Sequence, residues 1–135
     1  MKFFSIITIC RNNVQELKKT FHSVDFQKCK DFEWIVIDGD SKDGTKEWLK
    51  KNTLANWISE PDKGIYDAMN KGIDKASGEY LIFMNSGDEF ANEFALAESN
   101  KKIGEKGRPH FVYGDSFDVD ENNAVHYRKA KHFTK

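Results

Sequence analysis

The sequence contains only two cysteines, Cys10 and Cys29, far apart and with no His or Cys close by. No zinc-ligand spacing exists, and a disulfide framework is not expected. Cys10 lies inside an apolar run, where a thiol packs as a small hydrophobe. Neither sign of charge prevails, since 21 Lys and Arg face 22 Asp and Glu in 135 residues. That balance gives no reason to invoke nucleic acid or an anionic membrane. The basic cluster Arg128, Lys129, Lys131 and Lys135 reads as a solvated tail. Long hydrophobic runs are missing too. Phe3–Cys10 is too short and too β-branched for a signal peptide or a membrane span, and the protein reads as cytosolic. There is no Gly-x-Gly-x-x-Gly after the first strand and no Gly-Lys-Ser/Thr loop, which counts against a dinucleotide-dependent dehydrogenase and a nucleoside triphosphatase. A hydrolase nucleophile elbow is absent, and His22, His110, His126 and His132 form no triad pattern. His22 falls on a helix and reads as a surface residue. No internal repeat or low-complexity segment occurs.

What is present is enough for one domain with a buried core. Phe3–Cys10 is β-branched and aromatic and reads as a first strand, closed by Arg11-Asn12-Asn13. Val14, Leu17, Phe21 and Val24 follow at spacings of three and four, one face of a helix. Phe32–Ile37 is a second buried strand, ended by Asp38-Gly39-Asp40-Ser41. Asp43-Gly44-Thr45 opens a helix through Lys50, and Asn56–Ser59 is a short third strand. Glu60-Pro61-Asp62-Lys63-Gly64 is a loop. Ile65, Ala68, Met69, Gly72, Ile73 and Ala76 mark the next helix, with Gly72 at a close-packing position and Gly78 as the stop. Tyr80–Met84 is an unbroken apolar run, the pattern of a strand covered on both faces, and Asn85-Ser86-Gly87 breaks it. Ala91–Ile103 is read as a helix with Phe94 and Leu96 inward, and His110–Tyr113 as a fifth strand. Phe117, Val119, Val125 and Tyr127 alternate around Asp120-Glu121-Asn122-Asn123, which predicts a hairpin or an edge strand. Strands alternating with helices imply the α/β class: a three-layer α/β/α sandwich on a mostly parallel sheet with right-handed crossovers.

In such a sheet the carboxyl ends of the strands open onto one crevice, where ligands bind. The first strand brings Cys10, Arg11 and Asn12 there, and the second brings Asp38 and Asp40. Glu60, Asp62 and Lys63 come from the loop after the third, Asn85, Asp88 and Glu89 from the fourth, and Asp115 from the fifth. Gathered carboxylates repel unless a cation joins them, and a divalent metal is an economical partner. A carboxylate is equally the usual partner of ribose hydroxyls or of a base's imino N–H. Against this, Asp43 and Asp62 each precede a helix and read first as caps. Ser86-Gly87-Asp88 has a similarly plain reading as a polar turn in which Asp88 caps the next helix. Asp38 is the better ligand candidate, because it ends a buried strand where desolvation must be offset. A flavodoxin- or receiver-like domain also clusters acids at strand ends, but it predicts a Lys on the fifth strand, and His110-Phe111-Val112-Tyr113 offers none.

Several stretches, in order and at the right spacing, resemble the nucleotide-sugar glycosyltransferases of the inverting family 2, which have the GT-A (Rossmann-like) fold. Phe4–Asn12 is similar to that family's opening strand with its Pro-Thr-Tyr-Asn end, and Trp34–Thr45 to its Val-Asp-Asp-Gly-Ser-x-Asp-Gly-Thr signature. Glu60–Ile73 resembles the helix after strand three, and Gly78–Asp88 occupies the place of the Asp-x-Asp strand. The forms Asp-Lys-Gly-Ile-Tyr-Asp-Ala-Met-Asn-Lys-Gly and Asn-Ser-Gly-Asp are similar to the branch acting in bacterial capsule, colanic-acid and O-antigen assembly. The resemblance implies that Asp38 contacts the nucleotide base and that Ile9, Cys10 and Arg11 line the nucleoside pocket. Asn12, Asp40, Lys63, Asp67, Asn85, Ser86 and Gly87 are assigned with them to nucleotide binding. Asp88 matches the last acid of Asp-x-Asp and would hold Mg2+ or Mn2+ against the sugar diphosphate. The implied activity is inverting transfer of a sugar from a nucleotide-diphospho-sugar to the hydroxyl of a glycan or lipid-linked acceptor, in cell-surface polysaccharide synthesis. No nucleic acid takes part. A cytoplasmic location follows, with peripheral association at the inner face of the plasma membrane left open.

The sequence also departs from the family pattern. Asn85 stands where the first acid of Asp-x-Asp is expected, Ser86-Gly87 fill the middle, and Cys10-Arg11 replace Thr-Tyr. Met69 stands where many relatives carry Arg. The nucleotide-sugar-binding half is assigned to residues 1–115 and the start of an acceptor-side region to 116–135. The general base is expected beyond Lys135, with Asp115 as a fallback. The alternative function is a non-catalytic nucleotide-sugar-binding module or degenerate transferase fragment.

Overall fold

The computed structural model describes residues 2–130, and the chain divides between Leu96 and Ala97 into two compact units. The first holds a four-stranded sheet of order β3-β2-β1-β4, with β1 Phe4–Cys10, β2 Phe32–Asp38, β3 Ala55–Ser59 and β4 Tyr80–Phe83. Every pairing in it is parallel, with Phe4 facing Phe32 and Tyr80, and Trp34 facing Ala55. β1 and β2 are central and buried along almost their whole length, in keeping with their mostly apolar residues.

The connecting helices are α1 Val14–Asp25, α2 Thr45–Lys51 and α3 Ile65–Lys75. Period-two alternation sends Trp34 to one face of the sheet and Ile35 and Ile37 to the other. On the first face Trp34 meets Phe21 of α1 at 5.8 Å and Trp48 of α2 at 6.5 Å between ring centres. Its indole N–H donates to the Thr8 hydroxyl at 2.9 Å, which satisfies both buried polar groups. On the second face Ile7, Ile35 and Ile37 pack with Ala68 of α3. Gly72 makes that approach possible, since a Cβ there would stand 2.4 Å from Ile7 Cγ2. The α/β/α layering and the close-packing role of Gly72 agree with the sequence.

Other elements differ from expectation. β4 is half-buried, with Leu81 42% and Phe83 41% exposed, because it lies at the sheet edge. Gly78 is not the stop of α3, which ends at Lys75. It is required instead by a close approach, because a Cβ would stand 2.6 Å from the Ser5 amide nitrogen. Ile65 and Ile73 of α3 are exposed rather than inward. The fourth helix, α4, runs Ala95–Glu105, and Phe94 stands exposed before it while Leu96 is buried.

In the second unit, β5 Ser116–Val119 and β6 Val125–Arg128 form the expected antiparallel hairpin, with Phe117 opposite Tyr127. Its turn is closed by Asp120 Oδ1, which accepts the amides of Asn122 and Ala124 at 2.9 Å each. The fifth strand expected over His110–Tyr113 does not form. Its apolar side chains Phe111, Val112 and Tyr113 remain substantially exposed, so the burial that would favour a strand there is missing. Lys131 and Lys135, part of the basic tail, lie outside the described residues.

Candidate functional site

The carboxyl end of β1 is held on both sides by hydrogen bonds to its own carbonyls. The Gly39 amide donates to the Cys10 carbonyl at 2.9 Å. Ser86 donates to the Ile9 carbonyl from its amide at 3.4 Å and its hydroxyl at 3.2 Å. Beyond these bonds the chains part, and a crevice of about 330 Å³ opens between them and the first turn of α3. Ile9, Ile65 and Ala68 give it apolar walls, while Arg11, Asn13, Asp62, Asn85 and Ser86 add polar groups. Apolar walls with a few polar groups are the make-up of a small-molecule site. Larger grooves of about 480 and 440 Å³ lie along α1, one beside Trp48 and Asn52 and the other beside Phe90 and Glu93. Neither is lined by the end of β1, and in open α/β sheets convergence of carboxyl ends, not size, marks the ligand site.

Of the residues singled out from the sequence, Ile9, Cys10, Arg11, Asn85 and Ser86 line this crevice together. The others are engaged around it. Asn12 sits at φ 51°, donates its amide to Ser41 Oγ and accepts the Lys42 amide, each at 2.7 Å. Asp40, at φ 58°, pairs with Lys42 at 2.9 Å. Asp67 accepts the Lys63 amide at 2.9 Å, which, with the charge of Lys71, holds its carboxyl below the ordinary value. Gly87, at φ 95°, donates to Thr20 Oγ1 at 2.9 Å. Asp88 is exposed and accepts the Asn85 amide at 3.0 Å.

Asp38 is 0% exposed. Its carboxylate accepts the Ser41 amide at 3.1 Å, the Ser59 hydroxyl at 2.7 Å, the Cys10 thiol at 3.6 Å and the Ser41 hydroxyl. Those bonds offset its desolvation and tie the ends of β1, β2 and β3 together. Direct contact with a base would require Ser41 or Ser59 to give up its bond. Burial, then the Asp38 charge, pushes the Cys10 thiol well above its ordinary pKa, so it stays protonated.

Most carboxylates of the acidic edge expected from the sequence are bonded to local donors instead of sharing one cation. Glu60 joins Asp67 on Lys71, at 2.9 and 3.6 Å. Asp43 accepts the amides of Val14 at 2.8 Å and Thr45 at 3.2 Å and the Thr45 hydroxyl at 2.6 Å, which makes a turn ahead of α2 in place of the cap expected of it, since the N-cap is Gly44. Burial pushes its carboxyl up, but the Thr45 and Val14 bonds outweigh that and hold it below the ordinary value. Asp115 is tied in the second unit to the Tyr127 hydroxyl and, at 2.8 Å, the Ala130 amide. Among the described residues no three His, Cys, Asp or Glu side chains converge to hold a metal ion.

Asp62, expected at this edge, lines the crevice, and Asn13, Gly64, Ile65 and Ala68 line it without having been singled out for it. Asp62 accepts the Gly64 amide at 3.0 Å, which closes a turn ahead of α3 rather than capping it, since the N-cap is Gly64. Its Oδ2 would stand 2.7 Å from a Cβ on Gly39, so the absence of a side chain there gives it room. Ile65 carried a signal, being an apolar residue directly after the Pro61–Gly64 loop. No described helix is long and apolar enough to cross a membrane.

The family model described as Glycosyl transferase family 2 matches residues 5–133. An uncharacterised glycosyltransferase of Mycobacterium tuberculosis is 39% identical over 117 residues, 84% of this chain and 45% of that protein. A PGL/p-HBAD biosynthesis glycosyltransferase of Mycobacterium bovis is 36% identical over 119 residues, 83% of this chain and 46% of its own length. The chain thus spans about half the length of the curated relatives it matches. Among solved structures, Staphylococcus aureus TarS with UDP-GlcNAc superposes with a TM-score of 0.68 at 27% identity, over 78% of this chain and 32% of that one. A Pyrobaculum calidifontis mannosyltransferase with GDP-Man and Mn2+ superposes at 0.67 with 19% identity, over 83% and 34%. That last likeness bears on the fold alone.

Proposed function

The chain belongs to glycosyl transferase family 2 and has the GT-A fold, and from that premise we propose that its crevice takes the nucleoside diphosphate of a sugar donor. The observation that carries this reading is the meeting of Ile9, Cys10 and Arg11 with Asn85 and Ser86 at one strand edge. Ile9, Ile65 and Ala68 offer a base its apolar contact, Asp62 an acceptor for ribose hydroxyls, and Arg11 a fixed cation for phosphate oxygens. The TarS complex with UDP-GlcNAc supports a nucleotide-sugar as ligand class.

A divalent cation fits this edge in one way. Asp88 supplies one exposed carboxylate, and Mg2+ is commonly held by one or two carboxylates plus substrate phosphates. With no three-ligand cluster among the described residues, the ion would arrive with the diphosphate and bind weakly without it. It would supply charge neutralisation for the leaving group. The protein's own part is to hold the donor, keep the diphosphate beside Arg11 and Asp88, and leave the anomeric carbon open to an acceptor hydroxyl. That hydroxyl, on a glycan or lipid-linked acceptor, loses its proton to a base and attacks with inversion. The base is assigned to the part of the relatives that this chain does not match. We place the reaction in cytoplasmic assembly of cell-surface glycans.

Titration of the chain with UDP-GlcNAc, GDP-mannose, UDP and GDP, each with and without Mn2+, tests the reading. Binding that needs the diphosphate and weakens about tenfold in Arg11→Ala supports it. Absence of binding by every ligand overturns it. Binding without turnover on added acceptors favours the donor-binding module.

A further inference from the structure

α1 packs a row of polar groups against the segment that follows β4. Glu16, Thr20, Ser23 and Gln27, the last just past the helix, recur at spacings of four, three and four, which places them on one face. Each meets main-chain groups of residues 85–96. The Gly87 amide donates to the Glu16 carbonyl at 3.2 Å and to the Thr20 hydroxyl at 2.9 Å. That hydroxyl in turn donates a hydrogen bond to the Asp88 carbonyl at 2.9 Å, with the Asn85 carbonyl within reach at 3.3 Å. The Phe90 amide donates to Ser23 Oγ at 2.7 Å. Gln27 donates to the Asn92 carbonyl at 2.7 Å and accepts the Leu96 amide at 3.1 Å. Thr20 and Gln27 are buried, so these bonds are sheltered from water.

The same turn is fixed internally. Asp88 donates its amide to the Asn85 carbonyl at 2.9 Å, and Asp88 Oδ2 accepts the Asn85 amide at 3.0 Å. Thr20 therefore holds the turn at the two carbonyls and the one amide that set where the Asp88 carboxylate stands. A mobile turn would lose binding energy to ordering, whereas a prefixed one does not. From this geometry we infer that Thr20 is a positioning residue, which pre-sets Asp88 for the diphosphate end of the donor while having no part in holding the nucleoside. The inference rests on the donor-site reading above.

The test compares the full chain with Thr20→Val and Thr20→Ser, each titrated with uridine, guanosine, UDP and GDP in Mn2+. Hydrogen exchange at the Gly87 amide is followed in parallel. Wild type binds a diphosphate more tightly than its bare nucleoside. Thr20→Val keeps nucleoside affinity, loses about tenfold of the diphosphate advantage and exchanges Gly87 faster. Thr20→Ser, which keeps the hydroxyl, restores both. Ser23→Ala frees only the Phe90 amide and gives a smaller loss in the same direction, which serves if the valine variant does not fold. An unchanged diphosphate advantage in Thr20→Val, or in Ser23→Ala where the valine variant does not fold, overturns the inference, as does an equal loss for nucleoside and diphosphate. If wild type itself binds neither diphosphate, the donor-site reading falls, and the inference falls with it.

Discussion

The Ser59 hydroxyl at the end of β3 donates to the Asp38 carboxylate at the end of β2 over 2.7 Å, and the two residues are register partners. Of the groups around that carboxylate only the Ser41 amide is a fixed donor, so an amide in its place would make the Ser41 or Ser59 hydroxyl or the Cys10 thiol turn round to accept, and the bonds to a charged oxygen would be lost. Asp38→Asn is expected to lower unfolding free energy by about 1–3 kcal/mol, and Ser59→Ala by about 1 kcal/mol. Urea denaturation measures both. An Asp38→Asn variant as stable as wild type would show that the carboxylate does not brace the three strand ends.

Gly72→Ala tests opposed effects in α3. Alanine favours an exposed helix interior by up to about 1 kcal/mol over glycine. Here its Cβ runs into Ile7 Cγ2, a stub close to the β1 backbone with little freedom to move. Overpacking of about 1–3 kcal/mol should win, and the variant should be less stable. Adding Ile7→Val keeps that methyl and should recover little, whereas Ile7→Ala removes it and should shrink the penalty of the glycine change.

Asp40 is in the left-handed region at φ 58°, where the family signature has glycine. Asp40→Gly removes the backbone strain and loses an exposed ion pair with Lys42, a contact worth little. Glycine also gains freedom in the unfolded chain, which offsets part of the relief. The expected net change is a small stabilisation, below about 1 kcal/mol, read from the urea midpoint.

Acid should weaken the first unit partly through Asp43. Its carboxyl lies below the ordinary value in the folded protein, so its stabilising contribution is complete above the unfolded aspartate value of about 3.9. That contribution disappears as pH falls through the lower folded value. Asp43→Asn should be less stable than wild type near neutrality, and the gap should narrow as pH falls below about 3.9. Thermal melts across that range check it, and a constant gap would contradict the assignment.

β1 and β2 could be read from sequence because strands covered on both faces are mostly apolar, and Phe4–Cys10 and Phe32–Asp38 are apolar at all but Ser5, Thr8, Glu33 and Asp38. Gly72 was legible for a similar reason, since a glycine inside an apolar helix face has few other uses. β4 misled because Leu81 and Phe83 are apolar yet half-exposed, and composition does not say whether a second layer arrives. The acidic edge misled more deeply. A sequence counts carboxylates but not the donors facing them, and neither Ser59 against Asp38 nor the Lys63 amide against Asp67 has a local signature. The polar row on α1 did have one, in its regular spacing, but period-based reading follows apolar residues and passes over it.

The carbonyls of Ile9 and Cys10 are each claimed by a neighbouring chain, Ser86 on one side and Gly39 on the other. Because both bonds end on main-chain carbonyls of β1, they do not depend on which side chains stand at Ile9 and Cys10. An exchange at Arg11 therefore changes the charge offered at the crevice while those main-chain bonds stay in place.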